Sequence, residues 1–400
     1  MHAPFSARDR VACVAALLAL LLYGITGDYE RPDPAHLVTL LVAAVCLPAA
    51  LAGRRWAGYG AVACALMAGF YERLATSPWN GSDVMVAIDE ALRVWQSGAD
   101  PYAHVFTQTN PPGEPFPYPP GALVFYALGK LTTGTIFGID RWMGMLELVL
   151  LGLLLPIVGV AFAALILTLA ALAAPLITHP AGGSNDTALA TLLILAIVLM
   201  AWSYALREGL AARVLWWCSA AFFGWAIAFK ESGALVFLPI LLYVARDDGA
   251  PWRAWKDYAV ASLGPAAALT LGFALWDVPG FWRNAVLGLL THSNIWGRNV
   301  WGLLTSSAPD ARDAVAPFTP PVMIAGVVLV GVLCWRRPPR TFGGAVLQGC
   351  AMLGTLFILS RWTTAVYYEE VAPIVLAGVA LALGGGDRGV VFRSSIESTS

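Results

Sequence analysis

Twelve apolar runs, separated by short polar turns and two long polar loops, set the limits on what this chain of 400 residues can become. A bilayer core about 30 Å thick is crossed by roughly 20 apolar residues rising 1.5 Å each. The runs at 11–26, 36–52, 56–73, 140–157, 160–178, 186–206, 211–229, 233–246, 257–276, 320–335, 341–360 and 365–384 are read as spans. Soluble domains carry about 25% charged residues; here the figure is 12%, with 58% of residues hydrophobic. The expectation is an all-α polytopic membrane protein, with residues 1–400 forming one integral membrane domain of about 12 transmembrane helices. The first run follows Arg8 and Arg10 but no small-residue cleavage site follows it, so it is read as a span that stays.

Several function classes drop out early. A net charge of -1 gives no footing for a nucleic-acid partner. Cys13, Cys46, Cys64, Cys218, Cys334 and Cys350 each stand alone inside apolar runs. That pattern suits small buried side chains and argues against a zinc site or a disulfide framework. No G-x-G-x-x-G, P-loop or H-E-x-x-H occurs.

The stretch 118–138, YPPGALVFYALGKLTTGTIFG, is ambiguous in length and composition, and the basic residues decide its placement. If it does not span and the N-terminus lies inside, Arg54, Arg55, Arg207, Arg213, Arg246, Arg253, Lys256, Arg336, Arg337 and Arg340 all fall on the cytoplasmic side, as does the tail with Arg388 and Arg393. If it spans, the pair Arg336–Arg337 ends up outside. The stretch is therefore expected to be an interfacial helix pair or a re-entrant piece. Two long loops, 74–139 and 277–319, then face outside with the turns near His179–Asp186 and Arg361.

The first long loop contains SDVMVAIDEALRVWQSGADPY, residues 82–102, with Asp83, Asp89, Glu90 and Asp100. Val84, Ile88, Ala91 and Trp95 recur at helical spacing and predict an amphipathic helix on the membrane surface. Ser82 or Asp83 stands where an N-cap belongs, and Gly98 and Pro101 stop the helix. On spacing alone Asp83 is a helix cap, and the other carboxylates are a solvated face and a turn. Pro111, Pro112, Pro115, Pro117, Pro119 and Pro120 then stiffen the chain ahead of a second apolar helix.

A span, an external acid opening a surface helix, then G-x-D-P-Y (Gly98–Tyr102) and F-x-Y-P-P (Phe116–Pro120) resemble the first external loop of GT-C glycosyltransferases. Among these, the pattern is most similar to the bacterial polyprenyl-phosphate-mannose-dependent mannosyltransferases of glycosyltransferase family 87. Residues 170–196, 228–249 and 292–304 resemble later segments of that family, so the likeness covers most of 56–384. Two features depart from it. Two spans precede the one that leads into the acidic loop, and the usual Gly-Gln-Asn turn reads Gly183-Ser184-Asn185-Asp186.

The resemblance implies a GT-C-like bundle with interfacial helices in the first large external loop. It implies an inverting transferase that moves a sugar, mannose by family likeness, from a polyprenyl-phosphate donor to a lipid or glycan acceptor. It further implies a bacterial inner membrane, both termini cytoplasmic and chemistry on the periplasmic side. Such a reaction needs one carboxylate as general base and cationic groups for the departing phosphate. The resemblance puts Asp83 in the base role, with Asp186 as the alternative. A helix N-terminus would keep Asp83 ionised.

External basic residues are the candidates for the donor phosphate: Arg298 and Arg361 first, beside Trp296, Trp301 and Trp362, then Lys230, Arg141 and Lys130. A lysine at the membrane edge also snorkels, and Lys230 has Glu231 as a neighbouring partner. His179, His292, Asn185, Tyr102, Tyr118 and Tyr367 are substrate-binding candidates, with Tyr368 beside them. Interfacial aromatic belts account for Tyr and Trp at such positions equally well. Glu369 and Glu370 are expected to pair with Arg361. A single-phosphate donor carries less charge than a nucleotide diphosphate, and no D-x-D stands in an external loop, so neither a metal nor a cofactor is expected. Two other classes remain open. A transporter or flippase of lipid-linked sugars predicts mid-span charge and pseudo-symmetric halves; a ligase or polymerase of lipid-linked glycans would share the donor.

Overall fold

The computed structural model describes residues 5–26, 33–77, 83–109, 112–113, 115–247, 251–287, 295–363 and 365–384. Its long elements are all helices: α1 (Ala7–Ile25), α2 (Pro34–Leu51), α3 (Trp56–Ala75), α4 (Asp83–Gln96), α5 (Pro120–Thr133), α6 (Ile139–Val158), α7 (Val160–Leu172), α8 (Ala174–Ala181), α9 (Asn185–Leu206), α10 (Leu210–Phe229), α11 (Gly233–Asp247), α12 (Pro251–Trp276), α13 (Thr319–Arg336), α14 (Phe342–Leu359) and α15 (Ala365–Gly384). The two strands β1 (Trp296–Gly297) and β2 (Trp362–Thr363) pair in parallel.

Local chemistry sets several boundaries. Ser6 and Asp9 form a reciprocal capping box at the start of α1: Asp9 N donates to Ser6 Oγ at 3.1 Å and Ser6 N donates to Asp9 Oδ2 at 3.3 Å. Asp33 caps α2 by accepting from Ala35 N at 2.8 Å, with Pro34 in the first helical position. Ser184 caps α9 by accepting from Asp186 N at 3.3 Å.

Every one of the twelve expected spans is helical, but among the described residues eight helices are long and apolar enough to cross a bilayer. The number is nine if α7 and α8, bent by 51° at their break, count as one span. The expectation of about twelve is not reached on that measure. α1 opens on Arg8, Asp9 and Arg10, α3 ends on Glu72 and Arg73, and α11 has only 15 residues. The eight apolar helices make this a multi-pass membrane protein. The ambiguous stretch 118–138 holds one helix, α5, followed by turns, rather than a helix pair. At 14 residues α5 rises about 21 Å, too short to span.

α9 is central, packed against α6, α10 and α15. α10 crosses α12 so closely that a Cβ on Gly224 would lie 1.9 Å from the Ser262 carbonyl oxygen. Alanine there gains about 1 kcal/mol of helix propensity. The overlap can be relieved only by moving a helix, and overpacking of this kind costs about 1–3 kcal/mol. Gly224→Ala is therefore expected to lower the apparent melting temperature in detergent. A melting curve equal to wild type would mean the two backbones do not meet there.

The helices alternate in direction, so the turns sort onto two ends. One end carries α4, α5, the turn at Gly182–Ser184, Lys230–Ser232 and the β1–β2 pair. The other carries Arg54, Arg55, Arg207, Arg213, Arg246, Arg253, Arg336 and Arg337.

Candidate active site

At the loop-bearing end, α4 lies across the bundle on Met85, Ala87, Ile88, Ala91 and Leu92, all buried. The expected stripe of Val84, Ile88, Ala91 and Trp95 is thus displaced: Val84 and Trp95 are half-buried at its edges, and Met85 and Leu92 take the centre. Asp83 is the first residue of α4 and is exposed. Ser82, the other cap candidate, lies outside the described residues. Lys130 of α5 donates to Asp89 Oδ1 at 3.0 Å, and His104 Nε2 lies 2.9 Å from Glu90 Oε1. These contacts hold the loop to itself.

Tyr102 is buried. Its hydroxyl donates to the Tyr118 carbonyl at 2.6 Å, and its own carbonyl accepts from Asn284 Nδ2 at 2.9 Å. It anchors the proline-stiffened segment instead of facing a groove. The Tyr118 hydroxyl stands within electrostatic reach of Tyr367, Lys230, Asp186 and Asp83 together. The turn before α9 also touches α4. Gly183 has φ +78°, and a Cβ there would fall 2.5 Å from Met85 Cγ. Only glycine fits both demands. This contact sets the start of α4 beside the start of α9.

Behind that rim lies a narrow cleft lined by Glu147, Leu176, Pro180, Asp186, Thr187, Val366, Glu369 and Glu370. Lys230, at the C-terminal end of α10, donates to Asp186 Oδ1 and sits 3.6 Å from Glu370 Oε2. Its ammonium is 4.3 Å from the centroid of the Tyr367 ring. Burial opposes the charge on Lys230, but Asp186 and Glu370 outweigh it and hold the pKa well above the ordinary lysine value. His179 Nδ1 is hydrogen-bonded to Glu369 Oε2. Thr191 Oγ1 lies 3.4 Å from Glu147 Oε1.

The expected pairings are therefore replaced. Lys230 meets Asp186 and Glu370 rather than Glu231, because the chain turns at Lys230 and sends the side chain inward. Glu369 and Glu370 meet His179 and Lys230 rather than Arg361. Arg361 instead donates to Thr319 Oγ1 and the Ala316 carbonyl, at the start of α13.

The second long loop is clasped to the turn between α14 and α15. Beyond the β1–β2 pair, Arg298 N donates to the Thr363 carbonyl at 2.6 Å and Tyr368 Oη to the Arg298 carbonyl at 2.6 Å. Asn299 Nδ2 donates to the Arg361 carbonyl at 3.1 Å and Trp301 Nε1 to the Leu359 carbonyl at 2.8 Å. The Arg298 side chain is exposed and within electrostatic reach of His179.

Of the residues singled out in the sequence, Asp186, Lys230, Tyr367 and His179 come together at the cleft, with Asn185 buried beside Asp186. Asp83, Tyr118 and Arg298 stand around its rim. Lys130 and Tyr102 are taken up by the first loop. Arg141 is half-buried and lies six residues before Glu147, about 120° around α6 from the cleft-facing side. His292 lies outside the described residues, as do the side chains of Trp296 and Trp362. Glu147 escaped the sequence reading. A carboxylate in the middle of an apolar span is the signal that marks it, since such a group is costly there. Among the described residues no group of three His, Cys, Asp or Glu is placed to hold a metal ion.

No protein-family model and no curated protein matches this chain. Solved structures do. ArnT from Cupriavidus metallidurans bound to undecaprenyl phosphate matches with a TM-score of 0.54 at 21% identity, covering 80% of this chain and 59% of ArnT. The apo state of the same protein matches with a TM-score of 0.50 over the same shares. This chain therefore spans less than two thirds of ArnT. The oligosaccharyltransferase of Archaeoglobus fulgidus lies further off, with a TM-score of 0.45 at 15% identity. At these identities the likeness to ArnT shows the fold alone, an all-helical membrane bundle.

Proposed function

We propose that the protein is an inverting glycosyltransferase that takes a sugar from a polyprenyl-phosphate donor and delivers it to a lipid or glycan acceptor. The observation that carries this reading is the fold shared with ArnT, whose match was solved with undecaprenyl phosphate bound. It is supported by the gathering of Asp83, Tyr118, Arg298 and the Asp186–Lys230 pair at one end of the bundle. The acceptor hydroxyl oxygen attacks the anomeric carbon from the face opposite the phosphate. The bond from that carbon to the phosphate oxygen breaks, and the phosphate leaves with the electron pair. Asp83, exposed at the rim, takes the hydroxyl proton. Arg298 receives the charge that develops on the phosphate, because its side chain is exposed while Lys230 is committed to two carboxylates.

Within this reading the sugar is mannose, as in glycosyltransferase family 87, and no metal is invoked for a single-phosphate donor. The basic end faces the cytoplasm of a bacterial inner-membrane protein, both termini lie there, and the reaction takes place at the periplasmic face.

The test is the purified protein in proteoliposomes, given extracted membranes as acceptor and radiolabelled polyprenyl-phosphate mannose, arabinose or glucose in turn. Label is expected to pass from the mannose donor into a new product. Label that crosses the bilayer still on its polyprenyl phosphate would make the protein a transporter. Label that stays put with every donor would end the proposal.

A further inference from the structure

Arg73 lies outside every role assigned so far, yet it is among the largest fully buried side chains, 1% exposed, in the last turns of α3. Its Nη1 donates to the Gly69 carbonyl at 3.0 Å, one turn back on the same helix. Its Nη2 donates to the Ala170 carbonyl of α7 at 3.1 Å. The second contact falls at the break between α7 and α8. The last helical bond of α7 runs from Ala173 N to the Leu169 carbonyl, 3.2 Å. In an unbroken helix Ala174 N would go on to the Ala170 carbonyl, and Pro175 would have no N–H for the carbonyl after it. The chain bends here by 51°, and the guanidinium occupies the acceptor that the bend exposes.

The neighbours are built around that guanidinium. A Cβ on Gly144 of α6 would lie 3.3 Å from Arg73 Nε and 3.5 Å from Pro180 Cγ, so glycine lets α6 pass between the arginine and α8. A Cβ on Gly69 would fall 2.9 Å from Ala171 Cβ, which brings α3 and α7 together at the same level. Glu147 of the cleft wall and Glu72 are the carboxyl groups within electrostatic reach of Arg73. Past the bend, α8 carries Leu176 and Pro180 into the cleft lining and His179 to Glu369, and its end leads through Gly182–Ser184 to Asp186.

We propose that Arg73 is a positioning residue: by capping the carbonyl opened at the α7–α8 break, it fixes the bend that aims α8, and with it His179 and the turn to Asp186, into the cleft. A buried arginine could be there only to hold the bundle together. The geometry points to the narrower role, because the hydrogen bond it donates to a neighbouring helix goes to the carbonyl at the break.

The test separates these roles. In the full chain with its six cysteines replaced by alanine, spin labels are placed at Leu131 of α5 and Thr178 of α8, both exposed. Distances are compared for Arg73, Arg73→Lys and Arg73→Met. Lysine still reaches one carbonyl and is expected to keep the mean distance. Methionine cannot donate and is expected to shift and broaden the distribution.

Only the turnover arm rests on the proposed function. Misplacing catalytic groups by about 1 Å costs on the order of 10²-fold, so Arg73→Met should lose about that factor in kcat, with donor KM changed by less than about threefold and lysine restoring most of the rate. A wild-type distance in Arg73→Met, a shifted distance with wild-type turnover, or failure of both variants to remain monodisperse each overturns the proposal. If the distances respond as expected while even the wild type uses no donor, the functional reading falls and the positioning of α8 stands.

Discussion

Replacing Asp83 with Asn leaves the protein folded and lowers sugar transfer by about 10²–10⁴-fold, the loss typical of removing a general base. The two halves of this expectation have separate grounds. Asp83 is exposed and opens α4, where the favourable contact of a carboxylate with a helix N-terminus is worth about 0.3–1 kcal/mol, far less than the stability of the bundle. Asn keeps the size and the capacity to accept a hydrogen bond, but cannot hold a proton taken from the acceptor. Asp186→Asn is the control for the competing base. Transfer measured in proteoliposomes with the labelled donor, together with the elution profile of each variant, decides between them. Near-normal rates for Asp83→Asn would remove that residue from the chemistry and turn attention to Asp186.

Lys230→Met should unfold far more easily than wild type. The substitution keeps the apolar stem and deletes the ammonium, leaving Asp186 and Glu370 buried without their cation. Removing one partner of a buried ion pair costs about 3–5 kcal/mol. Adding Asp186→Asn to the same chain should recover part of that loss, since the groups share one network and their effects do not add. Thermal unfolding in detergent, followed by tryptophan emission, reads both. A single variant that melts with the wild type would show that solvent or another cation already compensates the two carboxylates.

The helices were legible because apolar runs of bilayer length have few other solutions, and the surface helix at 83–96 was legible from its spacing and its glycine–proline stop. The buried pairings were not. Nothing local tells Lys230 to bypass its neighbour Glu231 and meet Asp186 and Glu370, 44 and 140 residues away. That choice depends on how α9, α10 and α15 converge. Tyr102 misled for a related reason: an aromatic in an external loop suggests a sugar platform, whereas here the loop folds back and uses it as an anchor. Glu147 was hidden by its surroundings, a single carboxylate averaged away in an apolar window. Arg73 stands at a helix end, where a cation is common, and only the break between α7 and α8 reveals its partner.

The β1–β2 pair has a mechanical meaning. Main-chain and side-chain bonds lock the 296–301 segment to the hairpin formed by α14 and α15, so those two pieces translate and tilt as one body. The links described from α4 to α5, to His104 and to the Gly182–Ser184 turn are made instead by side chains. The segment that carries Arg298 is therefore fastened to the last two long helices by backbone bonds, and whatever displaces their turn displaces Arg298 with it.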